Sequence, residues 1–141
     1  MFATMTKRSV SVMAAAAAAV LLAACSGGTS SPESAAKTFV EKSYAGDADA
    51  VVSMIYLSEE DRKQEGIEDV VRGKMKDAVA KQKTYAEQHG GLDSVEVKET
   101  APNSKDAKRV DVDLEIKFKD NETRQDSLKV IETADGWKIA I

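Results

Sequence analysis

The chain has 141 residues, 43% apolar and 31% charged, the ordinary proportions of one soluble domain. Its formal charge of −4 argues against nucleic acid or anionic lipid headgroups as partners. A single cysteine leaves no partner for an internal disulfide.

Residues 1–24 differ from everything after them. Lys7 and Arg8 are their only charges, and VSVMAAAAAAVLLAA follows from Val10 to Ala24 without another. A basic start, an apolar run of 15 residues and a small-residue exit make a secretory signal peptide. A spanning helix needs about 20 apolar residues, so the run is short for a permanent anchor. Its removal leaves 117 residues with 18 basic against 24 acidic side chains, a balance of −6. Cys25 follows directly. Leu22-Ala23-Ala24-Cys25 resembles the lipobox of bacterial lipoproteins. The resemblance implies cleavage between Ala24 and Cys25, a diacylglyceryl group on the Cys25 thiol and acylation of the new amine. The chain is then expected to meet the membrane through lipid on Cys25, held stably by two or three acyl chains where one would hold only marginally. The alternative is a soluble exported protein whose cysteine is coincidental. SGGTSS, residues 26–31, reads as a flexible linker of roughly 13 Å average span. Residues 25–31 therefore form the lipidated cysteine and linker, and residues 32–141 a single domain. Ser26 is not an aspartate, which by the same resemblance implies the outer membrane, facing the periplasm, in a host that has one. Otherwise the expected place is the outer leaflet of the cytoplasmic membrane.

The domain opens on a helix signature, with Ser31 as N-cap, Pro32 at the first position and Glu33 near the positive end of the dipole. Ala35, Ala36, Phe39, Val40 and Tyr44 recur at helical spacing, and Gly46 stops the run. Asp47 can cap a second short helix, ADAVVSMIY, and LSEEDRKQEG predicts one or two exposed turns ending near Gly66. The longest helix runs from Ile67 to about Gln88, with Ile67, Val70, Val71, Met75, Ala78, Val79 and Tyr85 on one face. His89-Gly90-Gly91 ends it.

From Leu92 the period changes to 2. SVEVKE alternates, Pro102-Asn103-Ser104 marks a turn, and RVDVDLEIKFK is a long strand. Asp120-Asn121 predicts a hairpin turn into TRQDSLKVIET, and Asp135-Gly136 a second turn into WKIAI. The expected fold class is α+β: N-terminal helices packed on one face of a curved four-strand antiparallel meander. This order, with SPESAAKTFVEKSYAGDADAVVSMI at the start and LKVIETADGWKI at the end, resembles the nuclear-transport-factor-2-like (cystatin-like) lipoprotein domains of unknown function. The resemblance spans about residues 32 to 141 and implies a fold, not an activity, because that superfamily hosts enzymes, binders and scaffolds.

Enzymes of that superfamily place an aspartate or histidine inside the cone between sheet and helices. Here the inferred inward face reads Val95, Val97, Val110, Val112, Leu114, Ile116, Phe118, Leu128, Val130, Trp137, Ile139 and Ile141. It offers no carboxylate, imidazole or hydroxyl for general acid–base work. Asp111, Asp113 and Glu115 share the other face about 7 Å apart, a row rather than the wrapping loop that calcium wants. A solvated face is expected, and no metal or cofactor. His89 reads as a cation at a helix C-terminus. Tyr44, Met54, Tyr56, Met75 and Tyr85 form a candidate pocket mouth for an apolar ligand, or else complete the small core.

The resulting expectation is a lipid-anchored envelope protein carrying a small non-enzymatic binding module, engaged by an envelope protein or a small apolar ligand. Two alternatives stand beside it: an envelope enzyme using Tyr44 or Tyr56 as an acid, and a structural accessory subunit of an envelope complex.

Overall fold

The computed structural model describes residues 29–141, so the expected signal peptide, Cys25 and the expected linker as far as Gly28 lie outside the described residues. Helix α1 (Pro32–Ala45) starts as its sequence requires, the Ser34 N–H donating to Ser31 Oγ at 3.1 Å. Gly46 closes it at φ 82°, and a Cβ there would lie 2.6 Å from the Lys83 stem. Helix α2 (Ala48–Ser53) is capped by Asp47, whose Oδ1 accepts from the Ala50 N–H at 3.1 Å.

The expected continuation of that helix through Tyr56 does not occur. Ile55 and Tyr56 form strand β1, and β1 lies parallel to the last strand through Ile55↔Ile139 and Tyr56↔Ala140. A β-branched and an aromatic residue favour the extended state, and here a strand edge is available to receive them. The sheet therefore has five strands rather than four. After β1 comes α3 (Glu59–Arg62), held by a Ser58–Asp61 capping box, and then α4 (Ile67–Gln88). Strands β2 (Leu92–Pro102), β3 (Arg109–Phe118), β4 (Thr123–Thr133) and β5 (Gly136–Ala140) complete the chain. Their order across the sheet is β1-β5-β4-β3-β2, with the last four antiparallel. The β3–β4 connection closes through the four residues Lys119 to Glu122, with Asn121 at φ 71° in the left-handed region.

The strand faces fall where the alternation puts them. Val112, Leu114, Ile116, Phe118, Val130 and Ile139 are at most 1% exposed, and Val95 is buried with them. Val97, Val110, Leu128 and Trp137 are half-buried around that cluster. Ile141 departs from the expected inward set: it lies beyond β5 and is 72% exposed. Asp113 faces solvent, while Asp111 and Glu115 on the same face are half-buried.

The amphipathic pattern of the long helix predicts that Ile116 and Trp137 lie beneath it through Val71 and Met75, but a different helix covers the sheet. Ile116 clusters with Ala35, Ala36 and Val40 of α1. Ala35 and Ala36 are fully buried because a methyl-sized side chain lets the helix backbone approach the strands. α4 packs chiefly on α1 and α2. Its Val71, Val79 and Met75 join Val51 and Ile55 in a second cluster. Only the last turn of α4 reaches the sheet core, through Tyr85 and Ala86.

Candidate functional site

Two of the five candidate pocket residues meet, and three do not. Tyr44 from the end of α1 and Tyr85 from the end of α4 both pack against Phe118. Each ring is edge-on to Phe118 with centroids 5.2 Å apart. Met54 is buried at the end of α2, where its carbonyl accepts from the Ile139 N–H at 2.8 Å. Tyr56 lies on β1, and Met75 fills the second cluster. Met54 and Met75 thus take part in packing, and Tyr56 in strand pairing with Ala140.

The register of β4 brings polar groups to the face expected to be wholly apolar. Arg124 pairs with Ile116, and Asp126 with Leu114, so both residues share the concave face at its far end. Arg124 Nη1 donates to Tyr44 Oη at 3.3 Å. The same guanidinium lies 4.6 Å from the Tyr85 ring centroid, over its π face. Burial lifts the Tyr44 phenol above its ordinary value; Arg124 opposes that rise and Asp126 adds to it. The phenol is therefore neutral at physiological pH and serves as an acceptor for Arg124.

His89 completes the cluster. It caps α4, lies 4.4 Å from Tyr85 between ring centroids, and forms a 2.6 Å contact from Nδ1 to Asp120 Oδ2 in the β3–β4 turn. The Asp120 carboxyl is held below its usual range, first by the Glu122 N–H and then by His89. Thus the helix end and the turn are joined by one side-chain pair. Among the described residues this is the only side-chain hydrogen bond that His89 makes.

Open surface surrounds the cluster. A groove of about 360 Å³ runs along α4, lined by Ala80, Lys81, Thr84, Tyr85 and Gln88. Across the opposite sheet face lies a depression of about 580 Å³ lined mainly by polar groups, among them Lys98, Glu99, Asp113, Gln125 and Ser127. Lys98 there pairs with Glu96 at 3.3 Å and lies 3.8 Å from Glu115. No group of three metal-ligating side chains occurs among the described residues. No helix among them is long and apolar enough to cross a membrane.

Sequence reasoning passes over Arg124, Asp126, His89, Asp120 and Phe118 as a site. The signal for Arg124 and Asp126 is present: counting back by two from Val130 and Leu128 reaches both. The His89–Asp120 pair has no such signal, since only the fold joins residues 31 apart.

Residues 24–140 match the model of a family described as "Domain of unknown function (DUF4878)". Among solved structures, the fold is similar to that of a Campylobacter jejuni protein described as "Putative NTF2-like transpeptidase". That match has a TM-score of 0.70 and 21% identity, covering 79% of this chain and 99% of the other. No curated protein matches the sequence.

Proposed function

Since the chain belongs to the family described as domain of unknown function DUF4878 and has an NTF2-like fold, we propose that it is a lipid-anchored envelope protein whose domain binds a protein partner and catalyses no reaction. The observation that carries the reading is the filled cone. Leu114, Ile116, Phe118, Val130 and Ile139 are packed away from solvent beneath α1, so the inner strand face is taken up by core packing rather than presented to a small apolar ligand. What remains open is surface, and at the far end of the concave face that surface is aromatic and cationic. Tyr and Arg are the side chains most often found at the energetic centre of protein interfaces. Tyr85 and Arg124, steadied by Phe118 and Tyr44, form such a patch beside the groove along α4. The lipobox at Cys25 supports placement at a membrane surface.

One observation favours an enzyme instead. His89 oriented by Asp120 has the form of a general base held by a carboxylate. Acyl transfer of the kind in the C. jejuni protein's description also needs a nucleophile in reach of that base. The one side-chain hydrogen bond His89 makes among the described residues goes to Asp120, and the buried Ser43 hydroxyl is committed to the Phe39 carbonyl at 2.7 Å. The binding reading therefore has the stronger support.

The test is site-specific photo-crosslinking in the native envelope, with the reactive side chain at Gln88 and, separately, at Ser127 on the opposite sheet face. A discrete adduct from Gln88 that Arg124→Glu abolishes is the expected result. Absence of any adduct, or acyl-transfer activity in the purified protein that His89→Ala removes, overturns the reading.

A further inference from the structure

The first described residue is already attached to the domain. Thr29 O accepts from the Trp137 N–H of β5 at 3.0 Å. Thr29 also lies against Gly136, where a Cβ would come within 2.9 Å of the Thr29 carbonyl oxygen. Gly136 has φ 103°, so a glycine is needed there both for the turn and for the approach of this segment. The linker is thus captured four residues after Cys25.

That capture sets a length. Four residues span at most about 14 Å when extended, and a lipidated cysteine sits at headgroup depth. The sheet end at which Thr29 docks, made of the β4–β5 turn and the β2–β3 loop, is therefore held within about one headgroup layer of the bilayer. Both belong to one end because the Glu132 N–H donates to Lys108 O and Gly136 pairs with Thr133. Arg124 lies eight residues back along β4 from Glu132, roughly 27 Å away at strand rise. α1 runs from the same docked end toward Tyr44, so the aromatic cluster lies at the opposite end of both elements.

We infer that the β4–β5 end of the domain is its bilayer-facing surface, and that the Tyr85–Arg124 patch points away from the membrane into the aqueous compartment. The inference rests on the proposed lipid at Cys25. The occupant of the docked end is the lipid headgroup surface itself. Orientation comes from the tether and not from charge: Lys105 and Lys108 at that end are offset by Asp135 and Glu132, and the mature chain carries −6 overall. Net charge therefore adds no attraction to that contact, and the tether alone holds it. The function of the short linker is then to aim the patch outward, where a partner in solution or on a facing surface can reach it.

The experiment uses the lipidated protein in discs of phosphatidylethanolamine and phosphatidylglycerol that contain a headgroup-nitroxide lipid. Amide spectra are recorded with the nitroxide oxidised and then reduced. The amides of Lys108, Asp135 and Gly136 are expected to lose their signal when it is oxidised, while those of His89, Asn121 and Glu122 keep theirs. A variant with 20 Gly/Ser residues inserted between Cys25 and Ser26 folds around the same domain and is expected to lose the contrast. A lipidated chain bound to the discs but broadened equally at both ends, or more at Asn121, overturns the orientation while leaving the anchor intact. Contrast that survives the insertion shows that the tether does not set it and overturns the inference as well. A chain that does not sediment with the discs overturns the anchor on which the inference rests.

Discussion

Replacing Phe118 with alanine removes the ring on which the whole candidate site is built. Phe118 is fully buried, and Tyr44, Tyr85 and His89 surround it at centroid distances of 5.2, 5.2 and 5.8 Å. Phe→Ala in a packed core costs about 3–5 kcal/mol, the transfer term plus the cavity left behind. Against roughly 5–15 kcal/mol of total stability for a domain of this size, the variant stays folded in the upper part of that range. Phe118→Leu separates the contributions. It keeps most of the apolar area and loses the edge-to-face contacts, each worth about 0.5–1.5 kcal/mol, so its expected cost is about 1–3 kcal/mol. Urea melts followed by Trp137 emission measure both variants, and an unchanged slope with denaturant confirms a common unfolded state. A loss below about 1 kcal/mol for the alanine variant would show that the ring is not the platform described.

Three further outcomes follow from the same contacts. Ala36→Leu forces a larger side chain between α1 and the sheet and is expected to cost about 1–3 kcal/mol by the same melt. Tyr44 ionises above its ordinary value of 10.0, so the neutral phenol is the form that the fold favours. Its contribution to stability is fully present below the unfolded value and lost as pH rises through the folded one. Ultraviolet titration should therefore show a late phenolate component that Tyr44→Phe removes. Gly136→Ala places a Cβ against Thr29 at a φ that disfavours it, costing about 1–3 kcal/mol. It should also expose the Trp137 amide to hydrogen exchange; retained protection would mean that Thr29 is not what shields it.

The parts of the fold that repeat are the parts readable in advance. β3 alternates without interruption from Val110 to Phe118, and one buried face makes its register costly to shift. β1 has two residues and no period to detect; it exists because β5 presents an edge beside Ile55 and Tyr56. The long helix has the conspicuous amphipathic pattern, yet α1 covers the sheet, because Ala35 and Ala36 earn their place by smallness and carry little hydropathy signal. Tyr44 and Tyr85 are identifiable by residue type and helical spacing, but Met54, Tyr56 and Met75 share that signature and stand elsewhere, Tyr56 on β1 and Met75 in the second cluster. β4 keeps its alternation while its side chains change from Val130 and Leu128 to Asp126 and Arg124. A face defined by hydrophobicity alone stops short of the positions where the site begins. His89 and Asp120 meet only because the end of α4 and the β3–β4 turn lie at the same end of the sheet.

Both the proposed binding role at a membrane surface and the proposed outward aim of the Tyr85–Arg124 patch depend on one covalent bond. The direct measurement is the intact mass and N-terminal peptide of the chain extracted from membranes of its host, alongside Cys25→Ser. The account predicts a mature chain beginning at Cys25 with diacylglyceryl on its sulfur, and a serine variant that lacks the lipid and leaves the membrane fraction. A chain from the soluble fraction with a free Cys25 thiol, or a serine variant still membrane-bound after its signal peptide is removed, would contradict it.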